Sequence, residues 1–224
     1  MNVYFIGGLA ADERVFRHIR LPQSYKARFL NWVTPQRNES LVSYAHRMAE
    51  QIDTGSPYSI VGVSFGGMLA TEISRLYPSS KTILIASVPD ANHLPRYFRW
   101  MQKAGLPRYF PISMIKATVM LNRLFTAESP EDKEIIRSMV RAADDNFIRW
   151  ALTAALEWEG CADGLNCIHI HGTRDIVFPI RYTRPTHQIR NGGHLMVMER
   201  ADEINRILHE ILEESTKGEV RSSK

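Results

Sequence analysis

The sequence predicts an α/β fold, a parallel sheet with helices packed on both faces, and three observations carry that expectation. Four short apolar runs, Val3-Tyr4-Phe5-Ile6, Tyr58-Ser59-Ile60-Val61, Thr82-Ile83-Leu84-Ile85 and Cys167-Ile168-His169-Ile170, are too brief for helices and mostly too continuous for half-exposed strands. Between them apolar residues recur every third and fourth position, as in Leu41, Ala45, Met48, Ala49, Ile52 and again in Ile204, Ile207, Leu208, Ile211. Such stripes mark helices with one buried face. Strands alternating with helices fold into a sheet through right-handed crossovers.

Taken in order, the first run opens the sheet. A further strand is expected at 28–33, ending at Thr34-Pro35, and a weaker one at 187–190. Residues 91–160 break the alternation, because no strand pattern occurs there. Ser129-Pro130-Glu131-Asp132 combines an N-cap, a first-turn proline and first-turn acids, and Gly160 is placed to end a helix starting near Asn146. Pro107 and Pro111 chop the earlier part into short pieces. The chain thus divides into a core, 1–90 and 161–224, and a helical cap, 91–160, too long to be an ordinary connection. Insertions of this size commonly form lids over sites. The polar tail, 214–224, is expected to fray.

Composition removes several classes of function. With 44% apolar residues the chain can bury a core, and its formal charge of +4 is a small excess for a nucleic-acid binder. Cys161 and Cys167 cannot build a disulfide framework, and no C-x-x-C pair suggests a metal site. No run approaches the roughly 20 apolar residues that span a bilayer, and the first run lacks a basic leader. The expectation is a soluble cytoplasmic protein without stable membrane insertion.

The strongest local signal is Gly62-Val63-Ser64-Phe65-Gly66-Gly67, which follows one strand and precedes the helical pattern of Met68, Leu69, Ile73 and Leu76. A serine on so sharp a turn needs glycine two places before and after it, because a Cβ there would strike neighbouring backbone. The turn lifts the Ser64 hydroxyl out of the sheet and aims helix N-terminal amides at an oxygen that becomes negative. A serine also needs a base, and the base needs an orienting acceptor. Among eight histidines, His194 in Asn191-Gly192-Gly193-His194 follows the last strand, and Asp175 in His171-Gly172-Thr173-Arg174-Asp175 follows the strand before it.

Ser64, Asp175 and His194, each in a loop after a strand and in that chain order, together with Phe5-Ile6-Gly7-Gly8-Leu9, resemble the α/β-hydrolase superfamily over about residues 1–90 and 161–214. The resemblance implies a shortened, mostly parallel sheet of about six strands with a helical cap. It implies Ser64 as nucleophile, His194 as base and then acid, Asp175 as orienting carboxylate, and the amides of Leu9 and Phe65 as the oxyanion hole. No cofactor or metal is implied. The family often has His-Gly where this chain has Gly7-Gly8. The activity implied is hydrolysis of a small-molecule ester or thioester, with acyl transfer, a lyase reaction and a non-catalytic receptor as alternatives on the same scaffold.

Other polar residues compete for roles. Asp90 sits where some relatives carry the acid, or it caps the first cap helix. His169 and His171 share one face of a strand and read as core or pocket-floor histidines, since no third metal ligand stands at suitable spacing. His18, His46, His93, His187 and His209 read as surface residues, and Asp12 as an N-cap. Within the cap, residues 91–123 hold six basic groups (Arg96, Arg99, Lys103, Arg108, Lys116, Arg123) and no acid, whereas 124–160 hold four basic and eight acidic. Tyr97, Phe98, Trp100, Leu106, Tyr109 and Phe110 interleave the basic part. Three readings stay open: a solvated face paired with the acidic half, a substrate pocket using Gly8, Arg96, Arg99 and Trp100 to hold an anionic group, or contact with lipid. Oligomeric state is not readable.

Overall fold

The computed structural model describes residues 1–105, 111–121, 129–160 and 165–222, with backbone alone for 118–121 and 214–222. Leu106, Pro107, Arg108, Tyr109, Phe110, Arg123 and Cys161, singled out in the sequence, lie outside the described residues. Six strands form one sheet: β1 Asn2–Ile6, β2 Lys26–Phe29, β3 Tyr58–Val63, β4 Lys81–Ile85, β5 Cys167–Gly172 and β6 His187–Ile189. Their order is β2-β1-β3-β4-β5-β6 and every neighbouring pair is parallel. The chain steps outward from β1 to β2, then returns across β1 to β3. A doubly wound sheet opens a crevice at such a reversal, at the carboxyl ends of its strands. Register pairs Ile6 with Gly62, so the loops leaving β1 and β3 lie side by side there.

Alternation along β1 explains the two cores. Tyr4 and Ile6 face a cluster with Tyr44 and Met48 of helix α1 (Leu41–Ala49) and Met68, Leu69 and Ile73 of α2 (Phe65–Leu76). Val3 and Phe5 face the other cluster, with Val15, Phe16 and the helix at the chain's end. Burial on both faces is why the runs read as continuous rather than alternating. β2 is shorter and earlier than expected, Lys26–Phe29 rather than 28–33. Beyond Leu30, whose amide still reaches Phe5 O, side chains take over the backbone: Asn31 N donates to Gln51 Oε1 and Val33 N to Tyr44 Oη.

Within residues 91–160 all described regular structure is helical: α3 Arg96–Lys103, α4 Ile112–Leu121, α5 Pro130–Ala142 and α6 Asp145–Glu157, with a 3-10 turn at Ala91–His93. Ser129 caps α5 by accepting from Asp132 N at 3.0 Å, as its sequence signature requires. Gly160, at φ +75°, lies past the end of α6, where a Cβ would strike the backbone of Ala91. It closes the base of the excursion instead of capping the helix. The second half is no free lid: Phe147, Ala151, Ala154 and Trp158 belong to one core cluster, and Ile136, Met139 and Val140 to the other. Two last helices follow, α7 Met196–Glu199 and α8 Ala201–Ser222. α8 runs through most of the tail expected to fray.

Candidate active site

Ser64 sits between β3 and α2 with φ 52° and ψ −119°, a conformation that L-residues avoid. Glycines on either side make the turn fit. A Cβ on Gly62 would run into the Gly66 carbonyl, and one on Gly66 into the carbonyls of Ile6 and Gly7. Strain of this kind costs about 1–3 kcal/mol and persists only where packing enforces it. The consequence is a half-buried serine at the carboxyl edge of the sheet, beside the chain reversal.

His194 and Asp175 come to that point from the loops after β6 and β5. His194 Nε2 lies 2.9 Å from Ser64 Oγ, and His194 Nδ1 lies 2.8 Å from Asp175 Oδ2. The other carboxylate oxygen accepts from Val177 N at 2.8 Å and Phe178 N at 2.9 Å. Burial works against a charge on Asp175, but attraction to His194 and these hydrogen bonds outweigh it and hold the carboxyl below its usual range. An ionised carboxylate only accepts, so Nδ1 of His194 carries the hydrogen and Nε2 offers its lone pair to the Ser64 hydroxyl. Two backbone bonds fix the loops to each other, Thr173 N to Ile189 O at 3.0 Å and Arg174 N to Gly192 O at 2.9 Å.

The loop after β1 closes the site from the opposite side. Gly8 lies against Ser64: a Cβ there would be 3.4 Å from Ser64 Cβ and 4.0 Å from Oγ. Leu9 follows it, and Ala10 turns the chain at φ 62°. Ala11 N donates to Gly8 O at 3.0 Å, and Trp32 Nε1 donates to Ala11 O at 2.7 Å. Trp32 thus supports the Gly7-Gly8 loop, and no local pattern in the sequence marks it for that role. Phe65 opens α2, where a first-turn amide has no intrahelical partner. A groove of about 1320 Å³ begins at Ala10 and Ala11 and runs between the 32–40 segment and α5–α6. Trp32, Phe147 and Trp150 wall it, and the Phe65 ring lies 6.0 Å from both tryptophans.

Other candidates go elsewhere. Asp90 accepts from Asn92 N at 2.6 Å and caps the 3-10 turn that opens the cap, while Asp175 is the carboxylate on His194. Arg96, Arg99 and Trp100 are exposed on α3, Trp100 at 68%, and none of them lines the groove. Lys116 pairs with Asp145 at 2.7 Å, joining the two halves of the cap, but Arg96, Arg99 and Lys103 make no ion pair among the described residues. The acidic half turns to the core: Arg17 meets Glu131 at 2.6 Å, and His18, expected as a plain surface residue, lies 3.0 Å from the buried Asp132. Asp12 caps the turn Glu13–Phe16 as expected. Among the described residues no cluster of His, Cys, Asp and Glu could hold a metal ion, and no helix is long and apolar enough to cross a membrane.

The elbow serine, the histidine and acid on successive strand ends, and the parallel sheet beneath them describe one class of protein. Residues 13–207 match the alpha/beta hydrolase family, and the chain belongs to it. A poly(3-hydroxyalkanoate) depolymerase from Ectopseudomonas oleovorans is 24% identical over 200 residues, covering 80% of this chain and 69% of that protein. Among solved structures, a thermophilic esterase from Thermogutta terrifontis superposes with a TM-score of 0.71 at 20% identity, covering 96% of this chain and 90% of the other. MenH from S. aureus does so with a TM-score of 0.71 at 17% identity, covering 96% and 94%.

Proposed function

We propose that the protein is a serine hydrolase that cleaves a carboxylic ester or thioester of a small molecule through an acyl-enzyme. One observation carries this reading: the unbroken line from Ser64 Oγ through His194 to Asp175, with contacts of 2.9 and 2.8 Å, at a strained strand-to-helix turn. His194 Nε2 takes the Ser64 proton as Oγ attacks the carbonyl carbon. The carbonyl electron pair moves to oxygen, which rests on the amides of Phe65 and Leu9. Each such donor is worth about 10²–10³ in rate. Collapse expels the alcohol or thiol, which leaves with the proton held by His194. Water, deprotonated by the same nitrogen, then attacks the acyl carbon and restores Ser64. An esterase and a depolymerase among the relatives support hydrolysis.

The groove walled by Trp32, Phe147 and Trp150 receives the larger part of the substrate in this reading, since it starts beside the oxyanion loop. Its rim mixes Arg37 and Arg149 with Asp144 and Glu157, which suits a neutral group better than a strongly anionic one. A fluorophosphonate probe tests the reaction class. Wild-type protein should form an adduct on Ser64 that Ser64→Ala cannot form. A folded wild type that stays unlabelled overturns the proposal.

A further inference from the structure

A second line of hydrogen bonds runs behind the triad along β5. His169 Nε2 lies 3.0 Å from His171 Nδ1, and His171 Nε2 lies 2.7 Å from the carbonyl oxygen of Phe178. Both rings are buried, at 3% and 0% exposure. A carbonyl can only accept, so Nε2 of His171 carries a hydrogen. Burial, helped by His171 and His93 nearby, pushes His169 down to about 3, and burial also lowers His171. Both rings are therefore neutral near pH 7. A neutral His171 with its hydrogen on Nε2 presents a lone pair at Nδ1, and His169 must donate to it. One carbonyl thus sets both tautomers.

The two N–H dipoles point the same way, toward the loop that holds the acid. Phe178 is gripped at both ends of its backbone: its amide donates to Asp175 Oδ1 at 2.9 Å, and its carbonyl accepts from His171. His171 Nε2 is also 3.6 Å from Asp175 Oδ2, the oxygen that accepts from His194. Aligned hydrogen bonds in a dry interior polarise one another. The ring of Phe178 packs edge-on to His194 with centroids 5.6 Å apart, so a shift of this residue is felt by both acid and base.

The structure assigns His171, with His169 donating to its Nδ1, as a positioning residue for Asp175: by holding the Phe178 carbonyl it keeps the amides of 177 and 178 on Oδ1 and leaves Oδ2 turned to His194. The assignment rests on Ser64, His194 and Asp175 forming a working triad. Removing the donor leaves a buried carbonyl without its partner and frees the loop to rotate. A displacement of about 1 Å in a reacting constellation costs on the order of 100-fold in rate.

The full chain carries the test, with fluorophosphonate labelling of Ser64 resolved into a maximal rate and a half-saturating probe concentration. His171→Leu should lower the maximal rate by about 10- to 100-fold, with half-saturation changed by less than about twofold. It should also erase the downfield proton resonance of the His194–Asp175 hydrogen bond. His171→Gln, whose amide can reach the same carbonyl, should restore much of the rate. A folded His171→Leu that labels at the wild-type rate and keeps the resonance overturns the assignment. Should that variant fail to fold, nitrogen-15 spectra of wild type decide: the hydrogen on Nε2 of His171 from pH 6 to 8 supports the assignment, and its presence on Nδ1 refutes it. Asp175→Asn run in parallel separates the two readings. Wild-type labelling by Asp175→Asn breaks the triad itself, whereas a crippled Asp175→Asn beside a fully active His171→Leu removes only the role of His171.

Discussion

The loops at the carboxyl edge of the sheet and the first half of the cap above them are held in opposite ways. In the loops nearly every polar group of the site has a short partner: both oxygens of Asp175, both ring nitrogens of His194, and the backbone of 172–174 against 189–192. α3, in contrast, leaves Arg96, Arg99 and Trp100 in solvent and touches the site through Tyr97 Oη on Val177 O at 2.6 Å and Phe98 on Phe178 at 5.7 Å. Geometry is therefore set from below, by the sheet. Changes beneath the site should act on turnover, and changes in the cap on binding.

The sharpest way to break this contrast is the acid. Asp175→Asn keeps the shape but gives His194 the wrong hydrogen-bond partner, and turnover should fall by about four orders of magnitude with KM nearly unchanged. A loss shared equally between kcat and KM would mean that the loops are not a rigid template. Next comes the elbow. Gly66→Ala drives a methyl into the carbonyls of Ile6 and Gly7, and overpacking of this kind costs about 1–3 kcal/mol. Thermal denaturation should show Tm lower by about 2–12 °C. An unchanged Tm would show that the turn yields.

Acid sensitivity sharpens the contrast in another way. His169 has a folded-state value near 3 against an ordinary 6.5, and His171 is lowered too, so the unfolded chain binds protons that the folded one refuses. The share from His169 is complete above about pH 6.5 and is lost as pH falls toward 3, at about 1.4 kcal/mol per pH unit, and His171 acts in the same direction. Tm should drop between pH 7 and pH 5, and His169→Gln, which cannot titrate, should flatten that drop. An equal slope in the variant would place the sensitivity elsewhere.

Much of the candidate site is legible because its signals are local. Gly62 to Gly67, between a strand run and a helical stripe, marks a sharp turn, and the order Ser64, Asp175, His194, each after a strand, needs no knowledge of packing. What escaped depends on distant partners. β2 ends early because Gln51 and Tyr44 claim its backbone, and no pattern within 28–33 records that. The second half of the cap reads as an insertion, yet Phe147 and Met139 complete the two cores. His169 and His171 read as core or pocket-floor residues from their shared strand face and both are buried, but the direction of their hydrogen bonds follows from the Phe178 carbonyl, seven residues away from His171.

A milder cut on the cap side is Tyr97→Phe, which deletes one partly exposed bond to Val177 O and keeps the ring. A hydrogen bond of this type is worth about 0.5–1.5 kcal/mol. Labelling of Ser64 should slow by no more than about tenfold, well short of Asp175→Asn. Equality of the two would make α3 part of the acid's support and erase the contrast.

The smallest effects decide where substrate is chosen. Trp150→Ala strips one wall of the groove while leaving the loop after β1 on Trp32, so KM for a long-chain acyl ester should rise about three- to tenfold, the worth of a lost aromatic contact, with an acetyl ester little affected. Reversing charge at Arg96 and Arg99 together should change KM by less than about twofold for neutral and anionic esters alike, because exposed charges in water are weakly coupled to a site they do not touch. Steady-state kinetics on a panel of esters graded in length and charge reads both. A selective rise in KM for anionic esters in the charge-reversed protein would move substrate selection from the groove to α3.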